Sequence, residues 1–172
     1  MEEKYFYSTM VEWTGERHGD LSAPLLPNLQ VDAPPEFKGH DGAWTPEHLF
    51  VAAINSCFMT TFLAIAEHSK LDFVSFKVEA KGKLEKSAGP GLMMTEITLR
   101  PRLVISHARD AERASRILEK ADRNCLISNS VKSQVRLESE VTFANGSESK
   151  SPIPAILNDG SSACLSSPRR SV

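Results

Sequence analysis

One segment constrains this chain more than any other: the stretch that opens at Thr45-Pro46-Glu47 and continues to about His68. Threonine caps a helix, proline is tolerated at the first helical position, and glutamate suits the positive end of the macrodipole. Within the stretch Phe50, Ile54, Cys57, Phe58 and Ile65 fall near one stripe, while Ala52, Ala53, Ala64 and Ala66 keep the rest small and apolar. A helix that is apolar all round belongs in an interior. The chain is therefore expected to build its sheets around one long central helix. The longest uninterrupted apolar run, Leu49 to Ile54, is too short for a bilayer, so no membrane contact is expected.

The flanking segments read mostly as strands. Tyr5, Tyr7, Thr9, Val11 and Trp13 alternate with mostly polar neighbours, which is a strand period. Gly15 and Gly19 bracket a turn holding Glu16, Arg17 and His18. A second strand is expected near Leu21, and a short third one at Leu29 and Val31, stopped by Pro34-Pro35. After the central helix, Val74, Phe76, Val78, Ala80 and Leu84 share one face of a strand, and Met93, Thr95, Ile97 and Leu99 one face of the next. Ala111, Ala114, Leu118 and Ala121 mark an amphipathic helix from about Arg109 to Arg123. Val135, Leu137, Val141 and Phe143 read as a final strand. The order βββ-α-ββ-α-β is an α+β pattern with hairpin-connected, antiparallel strands. Residues 1–145 form the expected domain. Residues 146–172, rich in serine and proline, read as a mobile tail that carries Cys164.

Composition excludes several classes. The 172 residues are 41% hydrophobic, with a formal net charge of -2, so a general nucleic-acid surface is not expected. The first residues show no basic-then-apolar signal pattern, and a cytoplasmic address is the default. The three cysteines are far apart in sequence, which suits neither a disulfide framework nor a zinc knuckle. A metal site built from His40, His48, His68 and Cys57 is disfavoured, because nine helical residues separate His48 from Cys57.

By position alone Cys57 is a small core residue, Arg17 a solvated turn residue, Glu47 a helix-dipole residue and Cys125 a buried residue at a helix end. A reactive Cys57 needs a cation to offset its desolvation, since burial raises a thiol pKa, and Arg17 on its glycine-flanked turn is the one the chain offers.

The step to function comes from resemblance. Trp44-Thr45-Pro46-Glu47-His48-Leu49-Phe50, Ala52-Ala53 and Asn55-Ser56-Cys57-Phe58 resemble the family of osmotically inducible protein C and organic hydroperoxide resistance protein (OsmC/Ohr), over roughly residues 5 to 144. The family has a Pro-Glu pair opening a central helix and a reactive cysteine ten residues after that glutamate, as Glu47 and Cys57 stand here. Its arginine in a glycine-containing turn is matched by Arg17, and its second cysteine by Cys125. Proline usually follows that second cysteine; here the residue is Leu126.

The resemblance implies an OsmC-like fold, an intertwined homodimer, and a thiol peroxidase with no metal and no haem. Cys57 would attack an organic hydroperoxide and become a sulfenic acid. Cys125 would resolve it as a disulfide, and a dithiol reductant, such as lipoyl groups, would reduce that bond. Arg17 and Glu47 would serve the thiolate, and Phe58, Met59 and Phe37 would favour alkyl peroxides. The alternative is a non-enzymatic dimer of the same fold that binds a ligand or senses redox state.

Overall fold

The computed structural model describes residues 3–87, 89 and 91–144. The expected tail and Cys164 lie outside the described residues. Seven strands and two α-helices follow the order β1 (Met10–Gly15), β2 (His18–Ser22), β3 (Leu29–Val31), α1 (Pro46–His68), β4 (Phe73–Lys86), β5 (Leu92–Ile105), α2 (Ala111–Asn124), β6 (Gln134–Leu137) and β7 (Glu140–Phe143).

The first sheet is a meander, β1-β2-β3. Its first strand starts later than the alternation from Tyr5 suggested. Met10 pairs with Ser22, the last residue of β2. Ala23-Pro24 ends that strand, so Tyr5 to Thr9 find no partner backbone among the described residues. Phe6 and Tyr7 are left 88% and 93% exposed.

In the second sheet β4 pairs antiparallel with β5 over almost its whole length, while β6 and β7 both run parallel to β5. The sheet is thus mixed, because α2 carries the chain back to the starting end of β5 as a crossover. The expected final strand is two strands. β6 faces Glu96–Leu99, and β7 faces Arg102–Ile105. Leu99 and Ile105 turn their carbonyls to this side, accepting from Glu138 at 2.8 Å and Ala144 at 3.1 Å. By the two-residue period, Pro101 turns the same way, and it has no N–H to give. The ladder breaks there.

Register shifts between Phe73 and Ser75, and between Lys83 and Leu84, re-aim two expected core residues. Val74 is 62% exposed while Phe73 packs on the core, and Met94 packs there in place of Met93.

α1 is capped as expected: the Thr45 hydroxyl accepts from the His48 amide at 3.3 Å. Among the described residues, one face of the helix is covered. Ile54, Phe58, Phe62 and Ala66 are buried against β4, β5 and α2, and Phe62 meets Phe73 edge-on at 5.7 Å. Each such phenylalanine contributes about 1.5–3 kcal/mol by burial. On other faces Met59 and Leu63 remain 40% and 39% exposed. By length and composition α1 could cross a bilayer, contrary to the sequence reading. That reading counted only uninterrupted apolar residues and stopped at Asn55-Ser56. The buried face shows that α1 is the core helix of this fold.

Candidate active site: a cysteine pair between the two helices

α1 presents Cys57 toward the segment that leaves α2. The second helix ends at Asn124, and Cys125 follows as its C-cap in extended conformation, φ -66 and ψ 111. Cys125 is fully buried, and Cys57 is half-buried. The chain then turns over Cys57, so that the Ile127 N–H donates to the Cys57 Sγ at 3.5 Å. Cys125 is anchored in turn by its carbonyl, which accepts from the Asn129 amide at 3.1 Å.

The two thiols differ in character. Burial pushes Cys57 up, but hydrogen bonds from the Ile127 amide, the Cys125 thiol, the Thr61 hydroxyl and the Leu126 amide outweigh it, and Cys57 sits below an ordinary cysteine. Cys125 moves the other way. Its burial is the largest cause, Ser128 opposes it, and the neighbouring Cys57 adds to the rise. The arrangement favours the thiolate at Cys57 and the neutral thiol at Cys125 beside it.

Arg17 and Glu47 are elsewhere in the chain. Arg17 is exposed in the tight turn between β1 and β2, and no cation is among the groups that shift Cys57. Glu47 lies in the first turn of α1. It lines an open groove of about 890 Å³ with Trp44, Val51, Asn55, Val78 and Met94. Its Oε2 is buried and has no hydrogen-bond partner among the described residues. A buried carboxylate oxygen in that condition calls for a donor. The structure therefore brings Cys57 and Cys125 together and leaves Arg17 and Glu47 apart from them. Of the apolar residues expected beside the site, Phe58 is wholly in the core and cannot touch a substrate, whereas Met59 is accessible.

The set His40, His48, His68 and Cys57 is not assembled. His48 bonds the Thr45 hydroxyl at 3.0 Å, and His68 is at the far end of α1.

With this geometry in view, the comparisons decide the family. The sequence pattern of the OsmC-like proteins matches residues 39–140, more than half of the chain. The chain belongs to the OsmC-like family. It is 26% identical over 153 residues to the uncharacterized protein YmaD of Bacillus subtilis, covering 86% of this chain and 100% of that one. An OsmC-like protein of unknown function from Vibrio cholerae, VCA0330, has a similar structure with a TM-score of 0.74 and 25% identity, covering 80% of this chain and all of the other. An organic hydroperoxide resistance protein OsmC from Legionella pneumophila shares the fold at a TM-score of 0.63 and 24% identity, covering 81% and 99%. The OsmC-like α+β fold expected from the sequence is thus established, and some of its structural neighbours carry the hydroperoxide resistance name.

Sequence reasoning missed the backbone donors. The amides of Leu126 and Ile127 are invisible in a residue pattern, yet the absence of proline at position 126 was a readable hint. Proline there would have no N–H to offer Cys57. Leu126→Pro is expected to move the Cys57 thiol upward and to slow its reaction at neutral pH, with recovery in alkali. The check is the pH dependence of Cys57 alkylation by iodoacetamide. An unchanged inflection would deny the Leu126 amide any part in holding the thiolate.

Proposed function

We propose that this chain is a cysteine-based peroxidase that reduces organic hydroperoxides to alcohols and works as a homodimer. The observation that carries the reading is the unequal thiol pair, Cys57 held low by backbone amides with Cys125 held high beside it, within an OsmC-like fold. The Cys57 thiolate attacks the distal oxygen of ROOH and breaks the O–O bond. The alkoxide takes a proton and leaves as ROH, and Cys57 becomes a sulfenic acid. Attack by the Cys125 sulfur then forms the Cys57–Cys125 disulfide and releases water. A small dithiol, a dihydrolipoyl group among the candidates, restores both thiols by exchange and is itself oxidised to its disulfide.

The dimer is supported by what the protomer leaves uncovered. Met59 and Leu63 on α1, and Tyr5, Phe6 and Tyr7 before β1, expose a large apolar area of a kind that marks interaction surfaces. A second copy placing its own α1 against the open side of this helix would cover Met59 and Leu63.

The test is mass-spectrometric mapping after one equivalent of cumene hydroperoxide is added to the reduced protein. A Cys57–Cys125 bridge within one chain is expected, with one equivalent of alcohol released. A bridge to Cys164, or no loss of hydroperoxide, would sink the assignment and favour a ligand-binding or redox-sensing dimer.

A further inference from the structure

On the first sheet, away from the cysteine pair, two histidines from distant parts of the chain converge on one carboxylate. Asp32 is buried, with a side chain that is 0% exposed. Its Oδ1 accepts from the Ala33 amide at 2.7 Å. Its Oδ2 accepts from the His40 amide at 2.8 Å and lies 3.0 Å from the His40 Nδ1 and 3.2 Å from the His18 Nδ1. The amides and the chemistry of a carboxylate make Asp32 the acceptor, so the hydrogen-bonded His40 imidazole carries its proton on Nδ1 and its free coordinating atom is Nε2. The His18 ring faces the same carboxylate oxygen.

We propose that His18, His40 and Glu16 form a binding site for a zinc-class divalent cation, with Asp32 as the buried carboxylate that orients both imidazoles. One ligand atom from each of the three lies within 4.8 Å of the other two. The His40 Nε2 stands 3.5 Å from the Glu16 Oε2. With Nδ1 protonated, a bare Nε2 lone pair facing a carboxylate oxygen is repulsive, so a proton or a cation must lie between them. The His18 and His40 rings stack at 4.7 Å and 18°. One shared ion would engage both rings and the Glu16 carboxylate together. Two neutral imidazoles and a carboxylate, with imidazole N–H donated to a second carboxylate, are a ligand set and outer shell suited to zinc.

The site is largely built. Gly39 passes so close to Ala33 that a Cβ would fall 1.6 Å from its carbonyl oxygen, and the Gly39 amide donates to the Pro34 carbonyl at 3.1 Å. The His40 loop is therefore fixed. Ligand atoms about 2 Å from a tetrahedral ion lie about 3.3 Å apart, so closure needs a small turn of the rings and of Glu16. The Glu16 side chain, 75% exposed, is free to make it. The thiols of the distant cysteine pair are the competing ligands for a soft ion, and the test separates the two.

Co²⁺ titrated into the reduced full-length chain is expected to saturate at one ion per chain. Visible d–d bands should appear without the near-ultraviolet charge-transfer band of a thiolate ligand, and Zn²⁺ should displace the cobalt. His40→Gln should abolish the signal. Asp32→Asn should weaken binding about 10–100-fold. Glu16→Gln, at an exposed position that leaves folding intact, should weaken it as well. Absence of saturable binding, a thiolate band, or binding unchanged in both His40→Gln and Glu16→Gln would overturn the proposal.

Discussion

Cys57→Ser is expected to reduce hydroperoxide consumption with dihydrolipoamide to the rate of the protein-free mixture. Serine is nearly isosteric at this half-buried position, so the fold should survive, and circular dichroism should match the wild type. What is lost is ionisation. The amides of Leu126 and Ile127, with Thr61 and Cys125, bring a thiol below its ordinary range, but an alcohol starts far too high for the same donors to ionise it at neutral pH. Cys125→Ser should behave differently. It keeps the attacking thiolate and should release one equivalent of alcohol per chain in a single burst, then stall in steady state as a sulfenic acid that dimedone traps. Cys164→Ser should leave turnover intact. Near-normal turnover by Cys57→Ser would remove this cysteine from the mechanism. A Cys125→Ser variant that cycles at full rate would remove the resolving role alone, so the two assignments fail separately.

The contrast between these cysteines shows which parts of the site a sequence displays. The helix carrying Cys57 was legible because its start is written in three residues, Thr45-Pro46-Glu47, and its apolar character continues for several turns. The helix before Cys125 was legible from Ala114, Leu118 and Ala121. Their convergence was not. It depends on the crossover that makes β6 parallel to β5, and on the turn after Asn124 that lays the Ile127 amide over Cys57. Strand residues misread from alternation, Val74 and Met93, failed at register shifts, where one extra residue exchanges the two faces of a strand. The His18, Asp32 and His40 cluster left no trace in spacing, because its members come from a strand start, a strand end and a loop. Each has an ordinary surface or turn explanation by itself.

Arg17 and Glu47 pose the remaining question, and mixed dimers are expected to answer it. Ten residues separate Glu47 from Cys57 on one straight helix, a rise of about 15 Å, which a glutamate side chain cannot span. Within the chain Arg17 stands exposed on its turn, and the Glu47 Oε2 is buried without a donor among the described residues. Both facts are accounted for if the active site is completed by a second chain. Two central helices packed antiparallel about a two-fold axis bring the start of one toward the middle of the other. Ala52 and Ala53 allow the approach. The partner subunit then delivers a guanidinium to the Cys57 thiolate and the leaving alkoxide, with a glutamate holding the guanidinium in a bidentate pair. Arg17→Ala and Cys57→Ser homodimers should each be inactive or nearly so. Equal amounts reassorted at random form mixed dimers as half of the population. Each mixed dimer holds one complete site of two, so about a quarter of wild-type specific activity should return. Glu47→Gln mixed with Cys57→Ser should recover in the same way. If exchange is demonstrated by mass and no activity returns, Arg17 and Cys57 act within one chain. The turn between β1 and β2 would then have to swing toward α1 in the working enzyme, and the donor for Glu47 would have to be found elsewhere.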